Sequence, residues 1–429
     1  MPDSKKINLV EALSIGIGGM VGGGIFAVLG EAVSLAHGAT AIAFLIAGLV
    51  AIFTAYSYAK LSVKYQSRGG TVTFVDNAFG HNLLSGSVNL MLWLSYLVTI
   101  SLYAVAFASY AQTFFTATTP LLHHILISTA IILPAMINLV SASFVGKSET
   151  FIVALKLILL VVVVIFGSSH VDMTHFNPKN FTSPISIFVA GMIIFVAYEG
   201  FELIANAAED IENPSKNLPQ ALYISVGSVI VLYILIAIIT VGSVDEKALL
   251  EAKDYALAIA AKPSLGELGF VLVSITALLA TFSAINATIY GNARLGYIIA
   301  IDGELPTILE YKKGDTPFMG IVLTLLLSLI LANTINLDEI AIIGSAGFLL
   351  IFFIVNLSAL KLYKVIGAKK SVVVFSTLSS FFALGVLLYY TYQTNLKAII
   401  IFISFVLIAI IFEVVYGKLV RGHLFQRTY

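Results

Sequence analysis

Apolar residues run along this chain in twelve blocks, each about 20 residues long, separated by short stretches rich in Lys, Asp, Asn and Gly. Such blocks lack the period-two alternation of half-buried strands, and each is long enough to cross a bilayer core as a helix. The expected spans are 8–36, 40–62, 83–115, 123–142, 148–168, 184–209, 219–243, 267–301, 317–333, 338–360, 370–392 and 396–417. Two of the blocks carry patterns that a continuous helix resists. The first contains Gly18-Gly19-Met20-Val21-Gly22-Gly23-Gly24-Ile25-Phe26, with five glycines in seven positions. Each costs roughly 1 kcal/mol relative to alanine inside a helix. The sixth contains Phe195-Val196-Ala197-Tyr198-Glu199-Gly200-Phe201-Glu202, two carboxylates flanking a glycine midway along an apolar run. Charges at that depth are tolerated only where they face water or a partner.

Composition fixes the solvent. Hydrophobic residues make up 59% and charged residues 11%, with a mean hydropathy of +1.01, whereas soluble domains carry about 25% charged residues. The fold class is an all-α polytopic membrane protein. A net charge of zero argues against nucleic acid as a partner. The absence of cysteine excludes disulfides, thiolate metal sites and cysteine catalysis. The first block is too long for a signal h-region and is expected to remain as a membrane helix. An even helix count puts both termini on one side. With that side inside, 17 Lys and Arg fall on inner segments and 5 on outer ones. The bias predicts a cell-membrane protein with cytoplasmic termini. The largest outer loop, Val244 to Gly266, is expected to form short surface helices over the entrance.

The two irregular blocks are the first members of two five-helix sets. Five is odd, so the second set must sit inverted relative to the first. The expected units are an inverted repeat over 1–182 and 183–366, with two further helices and a tail over 367–429. Interrupted helices at matching places in inverted sets point to a transporter binding site; a packing face of small residues is the bland alternative. The half-helix after the glycines presents unpaired N–H groups and a positive dipole end. Gly22, Gly23 and Gly24 let an anion approach the backbone, and a carboxylate suits them. Carbonyls ending the opposite half-helices suit an ammonium group. An α-amino acid carries both groups, although the same donors could hold another small anion.

At these residues the chain resembles the amino acid–polyamine–organocation (APC) superfamily. Val21 to Phe26 matches its "GSGIF"-like turn, and Phe195 to Glu202 matches "FFAYxGFE". Glu209 to Pro219 matches the acidic stretch with "NPxKNxP", and Asn286 to Leu305 matches the eighth helix end and following loop. Lys156, in Phe151-Ile152-Val153-Ala154-Leu155-Lys156-Leu157, makes it most similar to the prokaryotic proton-coupled branch, where this lysine stands at a sodium site of other relatives. The resemblance implies that Lys156 contacts a helix 1 carbonyl near Gly18 and the Ser283 hydroxyl. It implies substrate carboxylate on the amides of Gly22, Gly23 and Gly24, and amine on carbonyls of Met20, Val196, Ala197 and Glu199. Two departures stand out: Gly23 replaces a common Ser, Thr or Ala, and Glu199 replaces an apolar residue.

Lys156 sits roughly 12 Å inside the fifth block at 1.5 Å per residue, too deep to snorkel. At that depth its charge state is open to change, so it is either the coupling site for a proton or a fixed tie between helices. Glu202 is a gate or an anchor for the break. Glu199 either faces the substrate amine or offers only its carbonyl. Phe195 and Tyr198, beside the break, are candidates for an occluding lid. Trp93 and Tyr96 either cap a pocket or pack. Glu209, Asp210 and Glu212 read as a solvated face, with Arg294 a potential partner. The histidines show no ligand spacing, so no metal and no cofactor beyond the proton is expected. No HExxH, GxSxG or paired-aspartate set argues for an enzyme, and two isolated breaks fit a site better than a channel. The expected function is proton-coupled amino acid symport by alternating access, with amino acid/amine exchange as the alternative.

Overall fold

The computed structural model describes residues 6–140 and 142–421. Among the described residues, ten helices are long and apolar enough to cross a membrane; a bent pair and the shorter apolar helix Phe318–Thr334 complete twelve spans. The spans are α1a (Leu9–Met20) with α1b (Gly24–Ala36), α2 (Thr40–Lys64), α3 (Leu83–Gln112), α4 (Pro120–Val140), α5 (Ala142–Gly167), and α6a (Pro184–Ile193) with α6b (Leu203–Asn206). Then follow α7 (Pro214–Ser243), α8 (Lys262–Ile301), α9 (Phe318–Thr334), α10 (Leu337–Lys361), α11 (Lys370–Thr394) and α12 (Leu396–Tyr416). The chain is a multi-pass membrane protein.

Local chemistry sets several boundaries. Asn8 and Glu11 form a reciprocal capping box that starts α1a. Ser183 caps α6a, with Pro184 at the first helical position. α7 begins at Pro214, five residues before the expected start at 219. A proline at the first helical position gives up an N–H that has no intrahelical acceptor anyway. Outside the spans, Thr71–Phe79 forms an amphipathic helix that the apolar pattern does not show. Of the surface helices expected in the long outer loop, Glu246–Glu251 is largely exposed, whereas Ala256–Ala260 forms a helix that is buried instead.

Packing follows a pseudo-twofold scheme. α2 packs on α7 and α3 packs on α8. The contact of α1a with α7 is matched by that of α6a with α2, and α5 on α8 by α10 on α3. These pairings interchange when the first five helices are swapped with the next five. Burial ranks the spans: 89% of the α3 and α6 windows is inside the protein, against 28% for α12. α12 therefore presents an apolar face to lipid, while α3 and α6 form the centre. The two breaks lie in that centre.

Candidate functional site

In α1, Val21 N–H still donates to Ile17 O at 2.8 Å, and the helix then stops. Among the described residues, the N–H groups of Gly22 and Gly23 donate no hydrogen bond. The carbonyl that Gly22 would use in a continuous helix is Gly18 O, which accepts from Lys156 Nζ at 2.9 Å. α1b restarts at Gly24, bent 45° from α1a. The unwound part is thus shorter than the glycine stretch, because Gly18 and Gly19 stay helical. Gly19 is small for a packing reason: a Cβ there would lie 2.9 Å from Gly200 O.

The α6 break meets this point. Residues 194–198 tighten into a 3₁₀ turn, Glu199 is extended (φ −63°, ψ 145°), and Gly200 takes φ +117°. Gly200 is required by its conformation and by space, since a Cβ would lie 2.5 Å from Gly19 C. Side chains satisfy the freed backbone. Ser345 Oγ on α10 donates to Ile193 O and accepts from Val196 N at 3.0 Å. The Tyr233 hydroxyl on α7 is shared between Met20 O at 2.7 Å and Ala197 O at 3.1 Å, tying the two breaks together. Glu202 accepts from Gly200 N at 2.8 Å and from the Tyr96 hydroxyl at 3.0 Å, so it anchors the break.

A cavity of about 420 Å³ reaches these groups from the side of the termini. Ile7, Glu11, Ser14, Ile15, Gly18 and Gly19 line it along one face of α1a, with spacings of three and four. Tyr103, Glu199, Leu203, Ala284, Ala287 and Thr288 complete the wall. Glu199 is 3% exposed, and its Oε2 accepts from the Tyr103 hydroxyl at 3.2 Å. On the opposite side, two larger cavities of about 590 Å³ each include no residue of either break.

A cavity ending on two apposed helix breaks, inside a twelve-helix membrane protein, is the architecture of a solute carrier. Residues 7–417 match the family described as amino acid permease. The chain belongs to the amino acid permease family. It is 36% identical over 422 residues to an uncharacterized protein of Methanocaldococcus jannaschii, covering 97% of each chain. It is 32% identical over 414 residues to the inner membrane transport protein YbaT of Escherichia coli, covering 96% of each. It is 24% identical over 379 residues to the branched-chain amino acid permease BcaP of Bacillus subtilis, covering 84% of this chain and 81% of the relative.

Within this permease, the residues singled out from sequence separate into two groups. Gly18, Glu199 and the neighbourhood of Gly22 gather at the cavity head; a Cβ on Gly22 would touch Ala284 Cβ at 2.8 Å. Ser283, one residue earlier on α8, is buried. Gly23 abuts the Tyr103 ring, and a Cβ on Gly24 would lie 2.7 Å from Ala197 Cα. Tyr198 and Phe195 point elsewhere. The Tyr198 hydroxyl donates to Phe44 O at 2.8 Å on α2, and Phe195 packs edge-on against Phe352 at 5.9 Å. Neither lines the cavity in this conformation. Trp93 lies against Gly296, a packing role. Arg68, not Arg294, approaches Glu209 and Asp210, each at 3.4 Å; Arg294 lies over the Tyr290 ring. The fold also gathers Asp76, His81 and Glu304, whose ligand atoms lie within 4.8 Å of one another. Asn89 Nδ2 donates to both carboxylates, at 3.3 and 2.8 Å. These residues are too scattered along the chain to show as a spaced motif.

Tyr103, Tyr233 and Ser345 were missed from sequence. One signal was available for α3: Tyr96, Tyr103 and Tyr110 repeat at seven residues, which keeps them on one helix face. Nothing in the sequence marks Tyr233 or Ser345.

The side away from the termini is closed by the outer loop. Lys253 bridges Glu31 of α1b at 2.7 Å and Asp338 of α10 at 2.6 Å. Ser109 of α3 donates to Asp254 at 3.2 Å, His37 pairs with Glu246, and Gly30 makes room for the Lys253 carbonyl. Burial pushes the Lys253 ammonium down, but its two carboxylate partners outweigh that, and the net direction is up. The ammonium thus stays charged through neutral pH, and its contribution to the bridge is lost as pH rises through that raised value. Burial pushes the Asp254 carboxyl up. Lys253→Ala is expected to open this side. In the naturally cysteine-free chain, Ser109→Cys should label with an impermeant maleimide at least tenfold faster once Lys253 is removed.

Proposed function

We propose that the chain imports amino acids across the cell membrane by alternating access, coupled to protons through Lys156. The observation that carries this reading is the cavity head, where a path from one side ends on Gly18, Gly19 and Glu199 between the apposed breaks. The N–H groups of Gly22 and Gly23 and the start of α1b form a donor set for the substrate carboxylate. The lysine bias supports cytoplasmic termini, and hence an open side facing the cytoplasm. Closure by Lys253 with opening toward the termini is one of the two end states that alternating access requires.

Lys156 ties α5 to α1a one turn before the break. A protonated amine can hold the Gly18 carbonyl as a cation would. A neutral amine holds it more weakly, which shifts α1a relative to α5 and biases the two states. Amino acids from the family are the substrate class; the amine and carboxylate select them and the cavity volume limits their side chains.

Reconstituted protein tests this directly. An imposed pH gradient, acid on the face away from the termini, should drive saturable uptake of at least one standard amino acid into proteoliposomes. Uptake that requires amino acid preloaded inside would assign exchange instead. Uptake that never saturates would assign a channel.

A further inference from the structure

Asp76, His81 and Glu304 come from three separate pieces of chain: the loop helix Thr71–Phe79, the turn leading into α3, and the loop after α8. Each offers one ligand atom, and the three atoms lie within 4.8 Å of one another. His81 Nδ1 stands 3.6 Å from Asp76 Oδ2. That is longer than a hydrogen bond and close to the spacing of about 3.4 Å between two ligands of one tetrahedral ion.

A fourth side chain is aimed into the cluster. Asn89 of α3 is fully buried, and its Nδ2 donates to Glu304 Oε2 at 2.8 Å and to Asp76 Oδ1 at 3.3 Å. Among the described residues, its Oδ1 is buried with no hydrogen-bond partner. Such an oxygen costs about 1–3 kcal/mol. An amide keeps nearly the same shape when its nitrogen and oxygen are exchanged. Half a turn about the last side-chain bond therefore puts Oδ1 where Nδ2 stands, facing both carboxyl groups. Three oxygens so placed repel one another unless a cation lies between them, and that cation supplies the partner the amide oxygen lacks.

The backbone around these groups is held. Asn82 follows His81 and caps α3, its Oδ1 accepting from Leu84 N and Ser85 N and its Nδ2 donating to Phe79 O. Glu304 N donates to Ile299 O at 2.9 Å, and the Tyr416 hydroxyl at the end of α12 donates to Leu305 O at 3.0 Å. His81 is partly exposed, which opens the cluster to water on the side of the termini.

We propose that Asp76, His81, Glu304 and the Asn89 amide oxygen bind a divalent transition-metal ion of the Zn²⁺ type. One imidazole among oxygen donors suits such an ion, and the usual affinity order places Zn²⁺ above Mn²⁺. Mg²⁺ prefers octahedral oxygen and retained water, and Ca²⁺ takes six to eight oxygens, so both fit less well. The bound ion fastens the loop helix to α3 and to the loop after α8. None of the four residues lines the cavity that ends on the helix breaks. The site is thus separate from the substrate site, and its occupancy does not depend on which solute is carried.

The test is isothermal titration of the chelator-washed full chain, in nanodiscs of uncharged lipid, with Zn²⁺, Mn²⁺, Mg²⁺ and Ca²⁺, alongside melting temperatures. The wild type should take up one tight Zn²⁺ per chain, with Mn²⁺ tenfold or more weaker and Mg²⁺ and Ca²⁺ weaker still. His81→Ala and Glu304→Gln should each weaken Zn²⁺ tenfold or more and remove the rise in melting temperature that Zn²⁺ gives. His124→Ala, on the opposite side beside Asn333, should bind Zn²⁺ as the wild type does. Asn89→Asp places a third carboxylate in the cluster. It should melt lower than the wild type after chelation and recover with Zn²⁺, a rescue that a purely structural amide would not give. Zn²⁺ affinity unchanged in His81→Ala, tighter binding of Mg²⁺ or Ca²⁺ than of Zn²⁺, or no Zn²⁺ binding by the wild type would overturn the proposal. His81 lies in a partly exposed turn, so its variant decides the matter if Glu304→Gln or Asn89→Asp does not fold.

Discussion

Lys156→Ala is expected to abolish the dependence of uptake on an imposed pH gradient. The ammonium is 1% exposed and donates to Gly18 O at 2.9 Å, the carbonyl left free because Gly22 turns out of the helix. Removal has two consequences that different substitutions separate. Leaving a buried carbonyl without a donor costs about 1–3 kcal/mol, which should appear as a lower melting temperature. Losing the titratable amine removes the proton from the cycle. Lys156→Gln keeps a donor for Gly18 but cannot take up or release a proton in this range. If Lys156 is the coupling group, Gln should restore much of the stability and none of the pH response. If it is a fixed tie, Gln should restore both. Transport by either variant should persist at reduced rate, driven by the amino acid gradient alone.

Gly200→Ala is expected to eliminate substrate binding. At φ +117° only glycine is comfortable, and forcing another residue there costs of order 1–3 kcal/mol. The added Cβ would also meet Gly19 C at 2.5 Å and Met20 N at 2.7 Å. Both neighbours are backbone, so relief requires α1a to move away from the α6 break. That movement would pull Met20 and Ala197 off the shared Tyr233 hydroxyl. Binding should fall below detection and the melting temperature should drop. Gly227→Ala is the control: on α7, nothing lies within 4 Å of the added carbon, and alanine favours the helix by roughly 1 kcal/mol.

Much of this fold is legible in the sequence because hydrophobic length is a strong signal when lipid is the solvent. The twelve spans follow from it, with boundaries displaced where Pro214 or a loop helix such as Thr71–Phe79 intervenes. The breaks are legible because glycine and carboxylate are costly within apolar helices. Their extent is not. Gly18 and Gly19 read as part of the unwinding, yet remain helical; Gly19 uses its small size for close approach to Gly200 without breaking the ladder. Side-chain direction at the breaks is set by tertiary contacts. Tyr198 turns toward Phe44 and Glu199 toward the cavity, although they are adjacent in sequence. Tyr233 lies 213 residues from the Met20 carbonyl it bonds, so no local pattern could announce it.

The central claim is that an amino acid binds at the cavity head between the two breaks. Ala287 lines that cavity on α8 and is half-buried, and the chain has no cysteine of its own. The most direct measurement is the rate at which Ala287→Cys reacts with a small maleimide entering from the side of the termini, with and without a saturating amino acid. Labelling slowed at least tenfold by the amino acid, and not by its carboxamide, is the expected result. An unchanged rate under saturating amino acid would contradict the claim.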